Sequence, residues 1–181
     1  MPRTRPTESH DAKAAAILEV AERRLRQDGY PGLSVAAMAR ELGLAQNTIY
    51  WYFGSKDELF VATLRRILDQ LAAGKPSAKA GRIDQILWFT DQFQELSDLR
   101  SAMNERSRES DVVAEFVAEL DGLLSGMLSH ALADYVPPGE LPLAVETFRA
   151  TVEGTFVKGL DRRARRKVLR FALGQLIPER A

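Results

Sequence analysis

Residues 34–60 read "SVAAMARELGLAQNTIYWYFGSKDELF". Four aromatic residues stand in succession, Tyr50 to Phe53. A helix that buries its aromatics spaces them by three or four positions, so that they share a face. Four in a row point all round a helix, and some must face outward. Ser34 can cap a helix over "VAAMAREL", and Gly43 follows its last turn, where a positive φ costs nothing. Gln46 to Tyr52 then makes another short helix after "GLA". Helices of about eight residues are marginal alone and must be held by packing. Met38, Leu42, Leu44, Ile49 and Phe53 supply apolar contacts between the pair and the helix before it, and Ala39 is small where two helices approach closely. The pattern is a helix-turn-helix, although an ordinary helical hairpin has the same spacing.

The outward face of the second short helix carries more information. At about 100° per residue, Ile49 and Phe53 define its inward direction. Asn47 and Trp51 then lie roughly opposite, with Thr48 and Tyr50 on the flanks and Gln46 in the first turn. That surface holds amides, a hydroxyl and amphipathic rings, and no charge. Amides can pair with base edges in the major groove, and tyrosine hydroxyls can reach phosphate oxygens. A solvated face without a partner more often carries Lys and Glu, so something is expected to dock here. Duplex DNA fits; the alternative is an all-α adaptor that binds protein through Tyr50, Trp51 and Tyr52, since aromatics are also favoured at protein interfaces. Lys56 stands in the first turn of the next helix, where the helix dipole disfavours a cation. It is either a solvated lysine or, with that helix N-terminus, a phosphate ligand.

The rest of the chain reads as helices separated by glycine and proline. A first helix spans about Ser9–Asp28, with Ile17, Leu18, Ala21 and Leu25 as its stripe and Gly29 at its end. Ser55-x-x-Glu58 matches a capping box and starts a helix that runs to about Ala73. "AAGKPSAKAG" (72–81) is linker-like. Further helices are expected near Arg82–Leu99, Ser101–Arg108, Ser110–Tyr135, Leu141–Leu160 and Arg162–Leu176. No stretch alternates with the period of two that marks a strand. The expected fold is all-α, with eight or nine helices.

Composition narrows the function classes. The chain has 181 residues, 45% hydrophobic and 28% charged, enough for a real core. It has no cysteine, which removes disulfides and thiolate chemistry and gives no argument for secretion. The start "MPRTRPTESHDAK" has no apolar core of a signal peptide. No apolar run approaches the roughly 18 residues of a membrane span. A cytoplasmic protein without a membrane partner is expected. Net charge is zero, and residues 1–66 hold ten Lys/Arg against eight Asp/Glu, too small an excess to argue for nucleic acid. Of the two histidines, His10 lies in the expected N-terminal arm and His130 on a long helix. Neither has a histidine or cysteine at ligand spacing, and no glycine-rich phosphate loop occurs, so neither an enzyme nor a metal or cofactor site is expected.

Residues 17–60, "ILEVAERRLRQDGYPGLSVAAMARELGLAQNTIYWYFGSKDELF", resemble the tetracycline-repressor (TetR) family of bacterial transcriptional regulators. The spacing of Tyr50, Phe53 and Lys56 is the most specific part of that resemblance. It implies an arm over residues 1–8, a three-helix DNA-binding domain over 9–66 with its helix-turn-helix at about 34–53, and a helical effector-binding and dimerisation domain over 67–181. It further implies a homodimer on a palindromic double-stranded operator, with an unknown small molecule as effector. Gln46, Asn47, Thr48 and Tyr50 would contact bases or nearby phosphates, Trp51, Tyr52 and Lys56 would hold the backbone, and Ser34 would contact phosphate. Two positions depart from the pattern. Ala45 stands where a Ser or Thr cap is usual, and Asn47 where glycine is common.

The remainder resembles the family only in being helical and of suitable length. Large rings and flexible methionines suit an apolar cavity, which makes Trp88, Phe89, Phe93, Met103, Phe116, Met127 and Phe148 candidates to line an effector pocket, each also readable as plain core. By the family's architecture the last two helices dimerise, with Val152, Phe156, Leu160, Leu169, Leu173 and Leu176 as candidate interface residues. The run "RRARRKVLR" (162–170) reads as a solvated face rather than a DNA contact.

Overall fold

The computed structural model describes residues 8–74, 76, 80–95 and 97–177, without the side chains of residues 8, 9, 93–95, 97 and 98. Among the described residues there are nine α-helices and no strand: α1 (Glu8–Gly32), α2 (Val35–Leu42), α3 (Gln46–Phe53), α4 (Lys56–Ala73), α5 (Arg82–Glu95), α6 (Ser97–Arg106), α7 (Asp111–Leu132), α8 (Leu141–Val157) and α9 (Arg162–Leu176). The arm expected over 1–8 lies outside the described residues except for its last position, which opens α1. α1 is kinked at Gly29 (φ 65°, ψ −161°), where the sequence placed the end of the first helix.

The chain divides into two compact units. The first comprises α1 to α4, α6 from Asp98, and α7 as far as Val117; the second comprises α5, α7 from Ala118, α8 and α9. The domain limit expected at 66/67 falls inside α4, which continues to Ala73.

In the first unit α1 packs on α2 and α4, and α3 packs on α2 and α4. Ile17, Ala21 and Leu25 of the expected stripe are buried, as are Met38, Ile49, Leu59, Phe60 and Ile67. Each of the larger side chains among these contributes about 1.5–3 kcal/mol when fully buried, which is what holds two helices too short to stand alone. Carboxylates add direction to this packing. Glu22 of α1 accepts from Arg66 Nε (3.1 Å) and Gln70 Nε2 (3.0 Å) of α4. Glu41 of α2 accepts from Arg23 and Arg24 of α1.

In the second unit α9 packs on α5 and α8. Leu87, Leu132, Val145, Phe148, Leu169 and Leu173 lie at the centre of its core. The arginine run that opens α9 is exposed at Arg162, Arg163, Lys167 and Arg170, as expected, but turns one member inward. Arg165 is fully buried, and Arg162, Arg165 and Arg166 all approach the buried carboxylate of Asp91 on α5, at 3.2, 3.7 and 3.0 Å.

Candidate nucleic-acid interface

α3 owes its position to its two ends and one residue. Gly43 caps α2 in the left-handed conformation (φ 64°, ψ 32°), and the chain returns through Leu44, whose N–H donates to Ala39 O at 2.8 Å. Ala45 takes the extended N-cap conformation (φ −75°, ψ 146°) and supplies no side-chain hydrogen bond, as its methyl group dictates. Ile49 is 1% exposed and anchors the inner face. At the far end Gly54 has φ 65°, in the positive range that glycine takes without strain.

The outer face is then open. Gln46 and Asn47 are exposed, Thr48 is half-buried, and Tyr50 and Trp51 are 41% and 70% exposed. The helical phase expected from sequence therefore holds: Ile49 points in, Asn47 and Trp51 point out. Tyr52 is half-buried, with its ring edge-on to Trp51 at 5.0 Å. His10 does not lie in an arm. It sits on α1 with its ring 5.2 Å from Trp51 and 4.7 Å from Tyr52, a contact between distant segments that no local pattern announces.

Ser34 is exposed, and its Oγ accepts weakly from the Ala37 N–H (3.4 Å), which leaves its own proton to donate outward. Ser55 caps α4 through Glu58 N–H (3.0 Å); Glu58 returns the contact by accepting the Ser55 hydroxyl at 3.4 Å rather than a backbone N–H. Lys56 is the first residue of α4, and its Nζ lies 4.1 Å from the centre of the Tyr30 ring. Burial lowers its pKa below the ordinary lysine value, against the pull of Asp57 and with the push of Arg106. Tyr30 donates to Asp57 Oδ1 at 2.6 Å; burial, and then that hydrogen bond, push the phenol up to about 12. Desolvation acts to raise the Asp57 pKa, but hydrogen bonds from Arg106, Tyr30 and Ser110 outweigh it and hold the carboxyl below its ordinary value.

The eight residues expected to meet DNA thus fall on the start of α2's cap, on α3 and at the start of α4, all within the first unit. The pocket candidates do not fall in one unit. Met103 and Phe116 belong to the first, where both are buried; Trp88, Phe89, Met127 and Phe148 belong to the second, Phe148 in its core and Met127 exposed; the side chain of Phe93 lies outside the described residues. Of the dimerisation candidates, Val152, Phe156, Leu160 and Leu176 are partly buried, whereas Leu169 and Leu173 are fully enclosed in the core of their own subunit. A side chain so enclosed has no surface left for a partner. The exposed apolar residues of these helices are instead Leu143 and Val157 on α8 and Val168 and Phe171 on α9.

A short helix pinned by one buried residue, with an uncharged polar and aromatic face turned to solvent, is the arrangement of a helix-turn-helix. Residues 17–63 match the family profile described as bacterial regulatory proteins, tetR family. The chain is 23% identical over 154 residues to an HTH-type transcriptional regulator, BetI, of Rhizobium meliloti, covering 79% of this chain and 75% of that one. Among solved structures it resembles a transcriptional regulator from Saccharomonospora viridis in complex with choline (TM-score 0.75, 16% identity, 94% of this chain and 100% of that one) and a TetR transcription regulator from Haloarcula marismortui (TM-score 0.71, 16% identity, 92% and 97%). At that identity the structures speak for the fold. Over residues 17–63 the chain thus resembles the TetR family of bacterial transcriptional regulators. These matches are to regulators and not to enzymes, and they favour the regulator over the adaptor. No helix among the described residues is long and apolar enough to cross a membrane.

Proposed function

We propose that the protein is a homodimeric repressor that grips a palindromic operator with one α3 from each subunit and is released by a small-molecule effector. The observation that carries the DNA reading is the solvent-facing side of α3, where Gln46, Asn47, Thr48, Tyr50 and Trp51 gather without a single charge around the buried anchor Ile49. In this reading the amides address base edges. Tyr50, Trp51, Tyr52, Ser34 and Lys56 hold the sugar-phosphate backbone and fix the register. Two α3 helices must then sit roughly 34–36 Å apart, one turn of B-DNA.

A ligand can release DNA only by binding better to a state that holds DNA less well. The effector is proposed to bind among the helices that follow α4, with choline as the first compound to try because a structural relative was crystallised with it. The DNA reading is tested by selecting duplexes from a random pool and measuring affinity by fluorescence anisotropy. Enrichment of a palindrome, with binding that weakens steeply with salt, is expected. Tyr50→Ala with Lys56→Ala should abolish binding and leave the circular dichroism spectrum unchanged. Wild-type affinity in that double variant would remove the site assignment.

A further inference from the structure

The start of α4 presents a charge problem. The reading above places a phosphate beside Lys56, yet the next two residues are Asp57 and Glu58. Acidic residues suit a helix N-terminus when nothing else binds there, but an unscreened carboxylate one residue from a phosphate ligand repels the phosphate.

At Asp57 the fold answers this with a residue from another helix. Arg106, the last residue of α6, places Nε 3.2 Å from Asp57 Oδ1 and Nη2 2.8 Å from Oδ2, a two-pronged pair, while its Nη1 meets Glu109. Both partners of the pair are mostly withdrawn from solvent, with side chains 23% and 19% exposed. The Tyr30 hydroxyl completes the arrangement by donating to Asp57 Oδ1. The same Tyr30 ring meets two cations, Lys56 Nζ at 4.1 Å and the Arg106 guanidinium at 5.1 Å, so one aromatic ring contacts both the phosphate ligand and the residue that neutralises its neighbour. The planar guanidinium matches the carboxylate fork in a way a lysine does not.

We propose that Arg106 is a positioning residue for DNA binding: by neutralising Asp57 and closing on the Tyr30 ring it keeps the first turn of α4 able to accept a phosphate beside Lys56. The inference rests on the assignment of Lys56 to the DNA backbone. It adds a means of regulation, because Arg106 belongs to α6. Any state that draws the end of α6 away leaves an unpaired carboxylate at the phosphate site, and affinity falls through charge as well as through geometry.

The test uses the full chain and the duplex selected above. Arg106→Gln should weaken binding about tenfold, most at low salt where the exposed carboxylate is least screened. Asp57→Asn, which keeps an acceptor for Tyr30, should bind as tightly as the wild type or more tightly. The pair Arg106→Gln/Asp57→Asn should return to within about threefold of the wild type, because the charge that needed neutralising is gone. A purely structural brace predicts the reverse, a double variant as weak as Arg106→Gln or weaker, and that result overturns the proposal. So does tenfold weakening in Asp57→Asn alone, a readout that stands even where Arg106→Gln does not fold. Lys56→Ala separates the two layers: unchanged affinity and salt slope there would remove the phosphate assignment itself, whatever Arg106 does.

Discussion

Ala45 enters α3 with nothing on its side chain to accept from the amide groups of the first turn. The two neighbouring helices both have a serine at that place, Ser34 accepting from Ala37 N–H and Ser55 from Glu58 N–H. The Ala45 backbone already has the extended conformation a capping residue needs. Ala45→Ser should therefore raise stability by about 1 kcal/mol, read as a higher urea midpoint at unchanged slope. The missing cap was legible in the sequence, because capping is a local matter of residue type and φ/ψ. Gly43 was legible as a helix end for the same reason, and it has positive φ. The cluster around Asp57 was not. Its partners Tyr30 and Arg106 lie 27 and 49 positions away, and nothing within a helical turn of any of them marks the others. His10 against Trp51 escaped notice on the same ground.

Element boundaries divide along the same line. α9 spans Arg162–Leu176, as the spacing of its apolar residues requires, and α4 runs to Ala73. The break expected between about Leu99 and Ser101 falls some four residues earlier, with α5 ending at Glu95 and α6 spanning Ser97–Arg106. No glycine or proline stands at that break to announce it. Arg165 departs from the solvated face expected of α9's basic run for a different reason. A basic run at the start of an amphipathic helix is normally solvated, and only the tertiary arrival of Asp91 from α5 turns Arg165 inward. Arg165 is fully buried, and its guanidinium also lies 5.2 Å from the Phe156 ring. Burial disfavours the charged form and lowers the Arg165 pKa from its usual value, while Asp91 opposes that shift. Removing the carboxylate leaves a buried cation without its anionic neighbour on α5. Asp91→Ala should cost about 3 kcal/mol of stability, and Arg162→Ala, whose side chain is 64% exposed, much less. Equal thermal shifts in the two variants would mean that Asp91 holds Arg165 in no useful sense.

At the scale of the whole molecule, a protein that reads two half-sites must hold two copies of α3 together, and the proposed dimer needs a surface for that. Sequence pattern alone chose Leu169 and Leu173 because a helix stripe looks the same whether it faces its own core or a partner. Burial separates the two cases: both leucines are enclosed, while Leu143 and Val157 on α8 and Val168 and Phe171 on α9 are 70, 80, 40 and 72% exposed. Leu143, Ala150 and Val157 recur at intervals of seven, which places them along one line of α8, and an exposed apolar stripe of that kind marks an interaction surface. A stable dimer of this kind typically covers about 800 Å² on each subunit, and its two-fold symmetry sets every exposed residue against its own copy or a near neighbour. Val157→Glu with Phe171→Asp would place like charges across that axis. The variant should remain helical and melt close to the wild type, run as a monomer by light scattering after size exclusion, and lose palindrome affinity by orders of magnitude because each subunit then binds its half-site alone. Leu173→Ala supplies the contrast, since it should destabilise the subunit by about 2–5 kcal/mol through the cavity it leaves. If the charged pair still dimerises and binds with wild-type affinity, the two subunits meet elsewhere.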